Sequence, residues 1–154
     1  MPHALNMTIP IKQDAATIQK LRDLERDFTA KFQDKMDQAL RDSKLVHYAR
    51  VVNINDKFLQ VITEYDGDQK GYTEFFRKAL PELFAAIFEL AEAPPFGQLD
   101  ENKFFQISKS LQHRSIGTSI DGSLDGEGKP EGYLFSAYDG RSVKEVLAKM
   151  DGDD

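Results

Sequence analysis

The sequence predicts an α+β fold: one βαββαβ unit with an inserted segment and an extra C-terminal helix. Three observations predict it. Leu5, Met7, Ile9 and Ile11 alternate with Asn6, Thr8, Pro10 and Lys12, the period of a half-buried strand. From Ile18 to Leu40 an apolar residue recurs every three or four positions, the period of a helix. Two strand-like runs then follow, joined by a short Asn/Asp-rich link of the kind that favours a hairpin.

The first strand contains Pro10, which cannot donate to a ladder, so the strand is expected at an edge or with a free N–H side there. Asp14 is placed to cap the long helix, expected over Ala15 to Arg41. Its apolar stripe is Ile18, Leu21, Leu24, Phe28, Phe32, Met36 and Leu40; the charged residues between them form a solvated face. The next strands are expected over Leu45 to Ile54 and Phe58 to Tyr65. A second helical pattern runs from Lys70 to Glu92, where Pro81 predicts a kink or a break into two helices. Pro94-Pro95 stops it.

From Phe96 to Gln112 the pattern is less regular, with Asp100 placed to cap a short helix carrying Phe104, Phe105, Ile107 and Leu111. His113 to Ile120 reads as a strand or an extended loop, and Asp121 to Gly132, with four glycines and Pro130, as a loop. Tyr133 to Tyr138 reads as the fourth strand, and Asp139-Gly140 as a turn. Ser142 caps a last helix through Met150, and Asp151 to Asp154 is an acidic end. This order implies a ferredoxin-like antiparallel four-stranded sheet with both helices on one face. The bare face must then be covered by the extra elements or by a second copy of the chain.

The chain has 154 residues, 40% hydrophobic and 30% charged, which fits one globular domain over residues 1–154. No apolar run is long enough for a membrane span, and the first ten residues lack the pattern of a secretory signal. The net charge of −6 and the lack of a dense Lys/Arg cluster argue against a nucleic-acid partner. There are no cysteines, which removes disulfides, thiolate catalysis and Cys-ligated zinc, and fits a cytoplasmic setting.

The densest group of reactive side chains is His47-Tyr48-Ala49-Arg50. Strand alternation places His47, Ala49 and Val51 on one face, and Val46, Tyr48, Arg50 and Val52 on the other. A guanidinium among Val46, Val52 and Ile54 needs a carboxylate, such as Glu64 or Asp66, or faces a ligand cavity. His47 has a plain reading as a half-buried, hydrogen-bonded histidine. His113 stands beside Arg114 with no motif around it and reads as exposed. No H-x-x-x-H, G-x-S-x-G, P-loop or dinucleotide pattern occurs. Asp121, Asp125 and Glu127 do not fit an EF-hand loop and read as a solvated acidic loop. Tyr-Asp-Gly occurs twice, at residues 65–67 and 138–140, each time closing a strand before a helix.

Together, His47-Tyr48-Ala49-Arg50-Val51-Val52, Leu59 to Thr63, and Glu64-Tyr65-Asp66-Gly67-Asp68 with Tyr72 resemble a pattern in an uncharacterised bacterial family of ferredoxin-like, dimeric α/β-barrel proteins. Tyr138-Asp139-Gly140-Arg141-Ser142-Val143 resembles that family's C-terminal Gly-Arg-Ser/Thr-Val stretch. The likeness covers residues 45–76 and 133–147 and implies a homodimer formed by sheet-to-sheet packing. The wider group includes cofactor-free monooxygenases, haem-degrading enzymes, chlorite dismutases and dye-decolourising peroxidases. It implies a site near His47, Tyr48, Arg50, Tyr65 and Asp66. Haem-using members rely on a histidine off the sheet, for which His113 is the interior candidate. The residues name no cofactor.

Two functions are therefore expected. The first is a small-molecule-binding protein with a pocket around Arg50, oxidoreductase chemistry being among the activities the resemblance allows. The second is a non-catalytic interaction or accessory module whose core is filled by its own side chains.

Overall fold

Burial alternates along the first strand: Leu5, Met7 and Ile9 are buried, while Ala4, Asn6, Thr8 and Pro10 are only half covered. The same alternation marks Leu59, Val61, Thr63 and Tyr65 further along the chain. These two rows form one face of an antiparallel sheet, and the helices pack on it. The computed structural model describes residues 2–125, 128–137 and 139–151.

The sheet has strands β1 (Pro2–Pro10), β2 (Val46–Ile54) and β3 (Phe58–Asp66), in the order β1-β3-β2. β3 is antiparallel to both neighbours. The β2–β3 link turns through Asn55 and Asp56, both in the left-handed region at φ 53° and 59°. Asn and Asp tolerate that region better than other non-glycine residues.

Between β1 and β2 runs one long helical rod: α1 (Ala15–Phe28), a π-helical turn (Thr29–Gln33) and α2 (Asp34–Ser43). Asp14 caps it, accepting hydrogen bonds from the Thr17 N–H at 3.0 Å and hydroxyl at 2.6 Å. After β3 come α3 (Gln69–Ala79) and α4 (Pro81–Leu90). Pro81 does break the helical pattern, and it sits in the first turn of α4, where its missing N–H costs nothing. A short 3₁₀ turn, Phe96–Gln98, leads to α5 (Glu101–Leu111), whose N-terminus is capped by Asp100. The last helix is α6 (Val143–Met150), closed by a reciprocal capping box between Ser142 and Glu145. Phe84, Phe88, Phe96 and Phe104 form an aromatic cluster where α4 and α5 meet, with ring centroids 5.4 to 6.3 Å apart. No helix among the described residues is long and apolar enough to cross a membrane.

Two expectations are corrected. Residues 133–137 form no strand, so the sheet has three strands among the described residues; Tyr138 lies outside them. The place beside β1 is already taken. The His113 N–H donates to the Asn6 carbonyl at 2.8 Å, and Lys12 and Pro10 exchange bonds with Leu90 and Glu92. Phe135 is left 83% exposed.

The second correction concerns β2. Its pairing slips between Val46 and Tyr48, leaving His47 as the extra residue of a bulge. Val46 therefore shares the helix-covered face with Ala49 and Val51, opposite Tyr65, Thr63 and Val61. It does not share a face with Arg50.

Candidate functional site

The β2 sequence, Val46 to Ile54, holds three of the residues singled out above, and the bulge sends them to different surroundings. The His47 ring, half-buried, lies with Nε2 3.1 Å from Oδ1 of Asp66 on β3. The other Asp66 oxygen accepts the Val143 N–H at the start of α6, at 2.7 Å. Both carboxylate oxygens are thus engaged, and the group braces β2, β3 and α6. Tyr48 is 73% exposed on the open face of the sheet. Arg50 follows on the same face, paired across the ladder with Ile62.

The expected carboxylate for Arg50 is absent. Among the described residues Arg50 makes no ion pair: Asp66 is held by His47 and Val143, and Glu64 makes no ion pair either. Arg50 is exposed rather than enclosed.

Tyr65 belongs to a separate, buried group. Its ring stacks on Tyr72 at 4.4 Å and 13°, and the Tyr72 hydroxyl donates to Thr63 at 2.6 Å. Burial raises both phenols well above their ordinary value of 10.0. His3 covers Tyr65 from the other side, with ring centroids 5.5 Å apart, and its Nδ1 lies 2.8 Å from Glu131. His113 is exposed beside β1.

Two clefts adjoin these groups. The smaller, about 300 Å³, lies between the start of β1 and the C-terminal loops and is bordered by His3, Asp121 and Glu131. The Ser119 hydroxyl and, after it, Ser123 hold the Asp121 carboxyl well below the usual carboxylate range. No group of three or more His, Asp or Glu suited to a metal ion occurs among the described residues; Glu127 lies outside them.

The larger cleft, about 450 Å³, separates the long helical rod from β2. Leu21, Leu24 and Phe28 of α1 and Met36 and Leu40 of α2 form its apolar wall. Leu59 lies beneath, and Ala49, Arg50 and Val51 form the opposite side. Glu25, Gln33, Asp37 and Asn53 supply polar groups. One end is tied shut. Arg22 bonds Asp56 at 2.9 Å and Glu25 at 2.7 Å, while Asn53 donates to Asp56 at 2.9 Å. Arg22, and after it Asn53, depresses the Asp56 pKa.

The π turn opens directly beside this cleft, between Phe28 and Met36. Such turns add one residue to a helix and recur at functional sites. Of the six residues singled out in the sequence, only Arg50 borders the larger cleft, and none of the six borders the smaller. The helical half of the larger cleft was not read as a site. Its signal was present: from Leu24 to Leu40 the apolar spacing is always four. Each step of four overshoots a helical turn by about 40°, a drift that an extra residue in the helix takes up.

No protein-family model, curated protein or solved structure matches the chain.

Proposed function

We propose that this chain binds a small amphipathic organic ligand in the cleft between the long helical rod and β2. The apolar part lies against Leu24, Phe28 and Met36, and the polar part meets the β2 side near Arg50. The observation that carries this reading is the cleft itself: about 450 Å³, apolar-walled with a few polar groups. Ligand sites commonly span about 300–1,000 Å³ with that division of chemistry. The test is binding of the reporter dye 8-anilinonaphthalene-1-sulfonate, with Leu24→Trp as the blocking variant. Wild type should enhance the dye's fluorescence and Leu24→Trp should lose most of the effect. Equal enhancement in both proteins would overturn the assignment to this cleft.

We further propose that the sheet is a ferredoxin-like unit whose fourth position is filled by irregular backbone. The order β1-β3-β2 and the antiparallel Met7–Gln112 bridge support it.

A further inference from the structure

We propose that the ligand of the larger cleft is a short extended peptide, added as a strand along the free edge of β2, with apolar residues alternating with acidic ones. The inference rests on the reading of this cleft as a ligand site and names the chemical class.

β2 pairs with β3 alone, and among the described residues Val46 to Asn53 make no main-chain hydrogen bond outside that ladder. Every second residue of the strand therefore turns an unmet N–H and C=O outward. Ala49, Arg50 and Val51 all border the cleft. Successive side chains leave opposite faces of a strand, so three consecutive residues border one cleft only where the edge itself forms its wall. A ligand with a peptide main chain satisfies those groups; a simple amphiphile leaves them unmet.

A strand added there presents two rows of side chains, one to each face. One set of its side chains enters the cleft against Leu24, Phe28, Met36 and Leu40. Glu25 and Asp37 also border that space, so carboxylates are disfavoured there and uncharged apolar residues fit. The other set lies on the open face beside Arg50, which is exposed and without an ion pair among the described residues. An acidic side chain is the complement of that position. The charge pattern also decides against self-pairing along this edge. Val46 to Ile54 carries Arg50 and His47 and no carboxylate, so a second β2 brings no complement.

The test is fluorescence anisotropy with fluorescein-labelled hexapeptides on the full chain. The probes are (Glu-Val)₃, (Lys-Val)₃, and two forms of (Glu-Val)₃ N-methylated on either the Glu or the Val amides. (Glu-Val)₃ should bind at least about tenfold more tightly than (Lys-Val)₃, a difference of about 1.4 kcal/mol. One methylated form should lose binding and the other keep it, because a strand bonds its neighbour through one set of amides only. Arg50→Glu should reverse the Glu/Lys preference. Equal binding of both methylated forms would overturn the proposal, and that comparison needs no variant. Dye binding blocked by Leu24→Trp, with no peptide bound, would leave the cleft a ligand site and remove the peptide. No binding of any probe would remove both.

Discussion

His47 Nε2 lies 3.1 Å from Asp66 Oδ1, while Asp66 Oδ2 accepts the Val143 N–H at 2.7 Å. One carboxylate thus joins the bulge of β2, the end of β3 and the first turn of α6. The bulge turns His47 toward it; in an unbroken strand, the slip-free register would send Val46 to the open face. Asp66→Ala removes both bonds. Stability should fall by about 1–3 kcal/mol, and α6 should be cut early in limited proteolysis. Asp66→Asn keeps an oxygen for Val143 and should protect α6 better than Ala does. Equal proteolysis of wild type and Asp66→Ala would mean that α6 is held elsewhere.

Arg50→Met should leave folding intact. The side chain is exposed and has no ion pair among the described residues, and such surface changes usually fall within about 0.5 kcal/mol. The urea midpoint should match wild type. A loss above about 2 kcal/mol would restore the structural ion pair that the sequence suggested.

The buried phenols of Tyr72 and Tyr65 make the fold sensitive to alkali. Burial raises the phenols of Tyr72 and Tyr65 above 10.0, so the folded chain holds those protons more tightly than the unfolded one. Their contribution is complete below pH 10.0 and is lost as pH rises beyond it. Tyr72→Phe strands the buried Thr63 hydroxyl and should cost about 1–2 kcal/mol at neutral pH. It should also flatten the decline above pH 10, read from thermal midpoints across a pH series.

Asp14 gives the opposite dependence. The Thr17 hydroxyl, and then the Thr17 N–H, hold its carboxyl below 3.8. A depressed value means the contribution is present above pH 3.8 and is lost as pH falls through the folded value. Asp14→Ala should lower the thermal midpoint at neutral pH, and the gap from wild type should narrow in acid. A gap that stays constant to about pH 2 would assign the cap to geometry without charge.

Much of the fold was legible because local chemistry and tertiary packing agree. Asp14, Asp100 and Ser142 cap helices where the sequence places them, and Pro81 starts α4 where a break was expected. The fourth strand was missed because local patterns do not report who occupies a neighbouring edge. Residues 133–137 carry a strand's composition, yet His113 and Glu92 already take the backbone partners on β1. The site was less legible than the fold. His47, Tyr48 and Arg50 drew attention as reactive types, but the cleft beside Arg50 is built largely from a helix stripe that reads as ordinary core.

The π turn supplies the sharpest test of that cleft. A π turn holds one residue more than the α turn it replaces, so deleting Ala30, an exposed residue of the turn, leaves α2 in phase with α1, whereas a second alanine inserted after Ala30 advances α2 by about 100°. Lys35 and Ala39 would then take the places of Met36 and Leu40 on the cleft wall. The insertion should keep most helical circular dichroism, because the rod remains helical throughout. It should lower the thermal midpoint, since Gln38 takes the place of the buried Ala39. Dye and peptide binding should both be lost on insertion and kept on deletion. Ala30→Ser changes the same position without changing the count and should leave binding as it was. If the chain with the insertion folds and still binds the dye, the register of α2 does not shape the cleft, and the wall formed by Leu24 and Phe28 suffices on its own.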